Sequence, residues 1–125
     1  MILYLWCMST LSIVLLFLMG ALYIFAGISH FRIPKFFLSI TPPWVPKPEV
    51  VNIVVGIIEI SLGLGVFFTT TRSYALYGII ALLILVFPAN VYHFQKARKK
   101  QKMVLATTIR LPIQFLLIWW AYSYL

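Results

Sequence analysis

The chain alternates long apolar stretches with short polar segments, a pattern typical of a membrane protein. Each apolar stretch holds about twenty residues, enough to cross the hydrocarbon of a bilayer as a helix. The predicted spans are residues 8–30, 50–68, 74–94 and 104–124. A chain of 125 residues cannot hide four such stretches except in lipid. The pattern therefore predicts an all-α fold, a single four-helix membrane bundle covering residues 1–125.

One face of the second span is small and polar, whereas the rest is Ile, Val and Leu. Asn52, Gly56, Glu59 and Gly63 share that face because they follow helical spacing. Glu59 lies about nine residues into the span, or about 13 Å, close to the bilayer midplane. A carboxylate at that depth is costly unless it is protonated, paired or facing a wet cavity. We expect the other helices to supply that shelter.

The first span carries a stripe of glycines that ends in a histidine. Gly20 and Gly27 lie on one face, where they allow close approach of a neighbouring helix. His30 follows on the same face, at the predicted membrane edge. An interfacial histidine is more often a solvated end residue than a ligand or proton relay. We retain His30 as a candidate site residue, with solvation as the alternative.

A proline-rich connection, residues 32–48, joins the first two spans. Its prolines disfavour regular helix and favour extended backbone. The segment Lys35–Ile40 is apolar enough to lie in the interface, and Trp44 suits the headgroup region. We predict that this connection folds back as a lid over one end of the bundle.

The third and fourth spans add polar side chains at similar depth. Pro88 is expected to interrupt the third span just before Asn90, and the fourth carries Arg110 and Gln114. We predict an ion pair between Glu59 and Arg110, direct or through Gln114 and water, because either charge alone would be costly in lipid. The alternative is a network that only fixes helix packing. The candidate ligand-binding residues are Glu59, Arg110, Gln114, Asn90, His30 and Asn52.

Composition and charge predict a membrane environment and the orientation of the chain within it. Hydrophobic residues make up 63% of the chain and charged residues 10%, against about 25% charged in soluble domains. Most basic residues fall in segments 32–48 and 96–103, so both basic loops are predicted to be cytoplasmic and both termini outside. An acidic membrane surface, not nucleic acid, is the expected counterpart of the net charge of +8. The single cysteine, Cys7, excludes a disulfide within the chain and a Cys-x-x-Cys redox pair.

An ordered set of short motifs resembles the DoxX family of small four-span membrane proteins. The motifs run from Gly27 to Phe31, then Pro34, Phe37, Pro43 to Pro46, Gly56 to Glu59, Gly63, Thr71, Arg72, Phe87 to Asn90, Arg110 and Gln114. The resemblance implies a four-helix membrane bundle. It also implies links to thiosulfate and quinone oxidation, to membrane redox-defence complexes or, in animal relatives, to assembly of receptor channels.

Three classes of function remain open. The preferred one is a ligand- or quinone-binding membrane subunit or partner of a redox-related complex in a bacterial inner membrane. Such a protein would have no intrinsic cofactor, would bind a quinone or lipid, and would contact membrane lipids and another subunit or a second copy. The alternatives are a proton-coupled small-molecule transporter and an assembly factor acting through helix contacts. A stand-alone enzyme is least supported, because the sequence shows no nucleophile–base pair or metal cluster.

Overall fold

The computed structural model describes residues 10–101 and 104–125, and these form an all-α bundle. The helices are α1 (Thr10–Arg32), α2 (Pro34–Ser39), α3 (Pro48–Val66), α4 (Arg72–Lys100) and α5 (Val104–Tyr122). All except α2 are long and apolar enough to cross a membrane. The predicted fold class is therefore confirmed. Cys7, the predicted span start at Met8, and residues 102–103 of the second basic segment lie outside the described residues.

The bundle has two different ends, a loop end and a turn end. At the loop end, α1 and α4 finish and α3 and α5 begin; at the turn end, residues 67–71 connect α3 to α4. The buried apolar core lies toward the turn end and draws on all four long helices. Its most buried members are Leu16, Met19, Val66, Leu76, Ile79 and Ala121. At the same end, the Tyr124 hydroxyl donates to the carbonyl oxygen of Ser12 at 2.9 Å, which ties the chain after α5 to α1.

Glycines bring α1 and α3 into backbone contact. A Cβ added to Gly27 would lie 2.6 Å from the carbonyl oxygen of Gly56, and one added to Gly63 would lie 2.6 Å from that of Gly20. Only glycine leaves room for this approach, as expected for membrane helices that pack through small residues. The predicted close approach of the glycine stripe is confirmed, and it presses the polar face of α3 against α1.

Helix α4 is longer and more continuous than expected. It runs from Arg72 through Pro88 to Lys100, so the first part of the predicted basic loop is helical. Lysine and arginine at a helix C-terminus are favoured by the helix dipole, which explains why a charged run extends the helix. Thr71 directly precedes α4, and its hydroxyl donates to the carbonyl oxygen of Gly65 at 2.8 Å.

The proline-rich connection contains a helix that sequence reasoning did not expect. Pro34 begins α2, a position where its missing N–H costs nothing. Helix α2 packs against α1 and α3, and the Lys96 ammonium group on α4 donates to the carbonyl oxygen of Ser39 at 2.8 Å. The connection therefore lies over the loop end of the bundle and contacts three helices there, which agrees with the position predicted for the lid.

Candidate functional site

The first polar cluster joins α1 to α3 and is called the histidine–glutamate cluster. It consists of His30, Asn52 and Glu59. The Nε2 atom of His30 lies 3.2 Å from a carboxylate oxygen of Glu59, and the two side chains are 10% and 13% exposed. Side chains on a helix lean toward its N-terminus, so His30 reaches deeper into the bundle while Glu59 leans toward the loop end. The two meet because α1 and α3 are antiparallel.

Asn52 fixes the proton on the far side of the imidazole ring. Its side-chain amide donates to the backbone carbonyl oxygen of His30 at 2.9 Å, which turns the amide oxygen toward the ring. That oxygen lies 2.7 Å from Nδ1 of His30, so we assign a proton to Nδ1. On the other side of the ring, Nε2 lies within ion-pair distance of Oε2 of Glu59, and this buried oxygen has no hydrogen-bond partner among the described residues. A single proton held between the two groups would leave the pair without net charge, which would lower its cost inside a membrane.

The second polar cluster joins α4 to α5 and is called the arginine cluster. It consists of Asn90, His93, Arg110 and Gln114. Arg110 donates through one terminal nitrogen to Nδ1 of His93 at 3.1 Å and through the other to the amide oxygen of Asn90 at 3.3 Å. The Asn90 amide donates to Gln114, which in turn donates to the carbonyl oxygen of Leu83 at 2.5 Å. The hydrogen bonds thus run in one direction, from the guanidinium to the backbone of α4.

Two phenylalanines of α2 lie between the two clusters. The ring of Phe37 stacks on His30 with centroids 3.8 Å apart, and Phe36 meets Phe37 edge-on at 5.3 Å. Phe36 also meets His93 edge-on at 6.0 Å. The aromatic pair therefore connects the histidine of one cluster to the histidine of the other. Nothing in the sequence pattern beyond two adjacent apolar residues indicated this role.

The predicted ion pair between Glu59 and Arg110 is not formed. Glu59 pairs with His30, and Arg110 contacts His93 and Asn90 instead. The reason is helix packing: in the described part of the chain, α5 has no Cα atom within 8 Å of one in α3. The buried polar site predicted in the bundle is therefore two clusters on separate helix pairs.

The remaining candidates take part in one cluster or the other. His30 is buried at 8% exposure, not solvated at the membrane edge, because α2 covers it. Asn90 and Gln114 contact each other, and Asn52 contacts His30. His93 was missing from the candidate set, although its position three residues after Asn90 places both on one face. Among the described residues, no group of three His, Cys, Asp or Glu side chains is placed to hold a metal ion.

Comparison with known proteins gives the family but not an activity. A family model described as a domain of unknown function (DUF8561) matches residues 19–125. The chain belongs to this family. The match covers both polar clusters and α2, so the DUF8561 region contains the whole candidate site. The matching family is not DoxX, and no curated protein or solved structure matches the chain.

Proposed function

We propose that this DUF8561 protein is a DoxX-like membrane subunit or partner protein of a redox-related complex, and that it binds a small apolar molecule of the quinone class. The binding region is the loop end of the bundle, between the histidine–glutamate cluster and the arginine cluster. The observation that carries the proposal is the aromatic pair, Phe36 and Phe37, between His30 and His93. Flat apolar rings flanked by polar groups are the chemistry that a quinone head requires.

The donors available in this region support that ligand class. Because Arg110 donates to Nδ1 of His93, the proton of a neutral His93 is on Nε2. That N–H has no hydrogen-bond acceptor among the described residues, and a quinone carbonyl oxygen would accept from it. On the other side of the aromatic pair, His30 and Glu59 lie 3.2 Å apart, so that the pair would hold a proton between them. A bound quinone would therefore meet a donor and a proton-holding pair on opposite sides.

Quinone binding is tested by extraction and by photolabelling. The full chain is purified in mild detergent, and the quinone that co-purifies is quantified by mass spectrometry. A photoreactive azidoquinone is then added, and the labelled peptides are identified. We expect label in the segment containing Phe36 and Phe37, and Phe37→Leu to reduce it. The control Phe25→Leu changes a ring that is 68% exposed on the outer surface of α1 and should leave labelling unchanged.

Equal labelling of the two variants, with label spread over the lipid-facing helices, would refute the proposal. A second variant tests the donor. His93→Leu removes the N–H and should weaken quinone binding by about fivefold to tenfold, the equivalent of one hydrogen bond. Unchanged binding in this variant would exclude His93 from the site.

Proton-coupled transport is the second candidate, and the His30–Glu59 pair favours it. A pair that holds one proton inside the bundle is the part that a proton-coupled carrier needs. Reconstitution into liposomes with an internal pH-sensitive dye separates the candidates. A substrate-driven proton flux that Glu59→Gln abolishes would support transport, whereas retained quinone without flux would support the binding subunit. An assembly role through helix contacts would survive Glu59→Gln.

A further inference from the structure

Arg110 has a permanent positive charge that the protein itself does not balance. A guanidinium has five N–H donors and is not deprotonated in proteins. Among the described residues, Arg110 contacts only the neutral groups of His93 and Asn90, through one donor on each terminal nitrogen. Three donors are left over, and the side chain is exposed on the protein surface.

Neither carboxylate side chain of the sequence is available as a counter-charge. The sequence has two acidic residues, Glu49 and Glu59. Glu59 is paired with His30 on the other helix pair. Glu49 is exposed in the first turn of α3, where it faces the positive end of the helix dipole. An anion that balances Arg110 must therefore come from outside this chain.

The position of Arg110 places its donors near the membrane surface. It is the seventh residue of α5, so its Cα lies about 9 Å from the start of the helix. Its side chain leans toward the helix N-terminus, which is the loop end, and a long cationic side chain extends toward headgroups in this way. The neighbouring basic residues strengthen the local positive potential. The described members of that group at the loop end are Arg32, Lys35, Lys47, Lys96, Arg98, Lys99 and Lys100.

Within the described parts of the chain, the turn end has no comparable group of basic residues. Its one basic residue there, Arg72, is buried at 4% exposure, and its Nε donates to the carbonyl oxygen of Val66 at 2.8 Å. An anionic surface would therefore be attracted to the loop end and not to the turn end. Arg110 differs from the other loop-end cations because His93 and Asn90 hold its guanidinium in place, with its remaining N–H groups free to bind.

From this geometry we infer that Arg110, oriented by His93 and Asn90, is a binding site for a phosphate oxyanion at the loop end of the bundle. The planar guanidinium can donate two parallel hydrogen bonds to two phosphate oxygens. The phosphate belongs either to the headgroup of an acidic phospholipid or to a free phosphate ion. This inference does not depend on quinone binding, because it uses the three remaining donors of Arg110 and not the aromatic pair.

The lipid source is tested by native mass spectrometry of the full chain in detergent. Phosphatidylglycerol and phosphatidylcholine with the same acyl chains are titrated into the delipidated protein. We expect phosphatidylglycerol to bind the native sequence more tightly, and Arg110→Gln to weaken it by about tenfold, the loss of one charge-assisted contact. The matched control is Arg98→Gln, which makes the same charge change at a loop-end arginine that lies over the Phe94 ring. It should retain native binding.

A second arm tests free phosphate. Inorganic phosphate is added to the lipid-free protein, and thermal unfolding is followed by circular dichroism. Stabilisation of the native sequence but not of Arg110→Gln would support the site with a free ion as its ligand. Two results together would overturn the inference. The first is that Arg110→Gln and Arg98→Gln weaken phosphatidylglycerol binding equally, or that neither weakens it. The second is that phosphate does not stabilise the protein in a way that depends on Arg110.

A milder variant keeps the inference falsifiable if Arg110→Gln does not fold. Arg110→Lys retains the charge but has a single ammonium, which cannot hold His93 and Asn90 while making a two-pronged contact with phosphate. We expect Arg110→Lys to bind phosphatidylglycerol several-fold more weakly than Arg98→Lys does. Equal binding by the two lysine variants would show that only net charge matters, and the site would be excluded.

Discussion

The pairing of His30 with Glu59 makes a quantitative prediction for a double-mutant cycle. His30→Leu leaves Glu59 and Asn52 without their partner, and Glu59→Leu leaves Nε2 of His30 without its partner. Stranding a polar group of this kind costs about 2–3 kcal/mol of unfolding free energy. In the double variant neither member of the pair is stranded, so the loss falls to about 2 kcal/mol, mostly from Asn52 and imperfect packing. We therefore expect a coupling energy of about 3 kcal/mol, at the upper end of measured pair couplings.

The assay is reversible unfolding of the reconstituted protein by denaturing detergent, followed by circular dichroism. The control cycle combines His30→Leu with Ser61→Ala. The Ser61 hydroxyl donates to the carbonyl oxygen of Ile57 on its own helix and shares no partner with His30. That cycle should be additive. If the His30–Glu59 cycle is also additive, to within about 0.5 kcal/mol, the pair does not couple and the reasoning about a shared proton is refuted.

Three further results are expected. Gly27→Ala should cost about 2 kcal/mol or more of unfolding free energy in the same assay, because its Cβ would meet backbone atoms of the facing helix. Gly78→Ala should cost less, because its Cβ would meet only a flexible leucine side chain, and equal losses would contradict the tight contact between α1 and α3. Lys96→Gln should speed amide hydrogen exchange in α2, because it removes the donor to the carbonyl oxygen of Ser39, whereas Lys99→Gln should leave the exchange unchanged. Matching exchange profiles of the two variants would show that Lys96 does not hold α2 in place. Lys99→Cys should resist membrane-impermeant thiol reagents in intact cells, and labelling from outside would reverse the predicted orientation.

The fold was predictable because each long helix is an apolar run whose length matches a bilayer. Polar residues are conspicuous in such runs, so the six candidate site residues could be picked out one by one. All six make side-chain contacts in the structure. What the runs do not specify is which helix faces which. Depth alone suggested Glu59 with Arg110, although their helices are not neighbours.

The correct partner of Glu59 was nevertheless indicated by spacing. Gly27 and His30 are three apart on α1, and Gly56 and Glu59 are three apart on α3. Two glycine faces that pack together bring the residues three positions further along each helix to the same interface. In this antiparallel pair, His30 and Glu59 lie about 9 Å apart along the helix axis, and their side chains meet because each leans toward the N-terminus of its own helix. Pairing glycine stripes before pairing charges would have given this contact.

The extension of α4 and the helix α2 could not be obtained in this way. Both lie where the sequence turns polar or proline-rich, and polarity was interpreted as loop. Lysine and arginine are good helix formers, however, and a helix that leaves the membrane can continue into water. Pro34 likewise starts a helix as readily as it ends one. The periodicity of apolar residues cannot indicate whether a segment is helical where the helix does not need an apolar face.

The distribution of polar groups argues that the two ends of the bundle have different roles. The turn end contains the shared apolar core, in which all four long helices meet and Tyr124 ties the end of the chain to α1. At the loop end, α1 with α3 and α4 with α5 each have their own polar cluster, and Phe36 and Phe37 lie between them. A protein that only had to fill a bilayer would have no reason to concentrate a histidine–glutamate pair and an unbalanced arginine at one end. This concentration of polar groups agrees with the proposed quinone and phosphate sites, because both proposals place their ligand at the loop end.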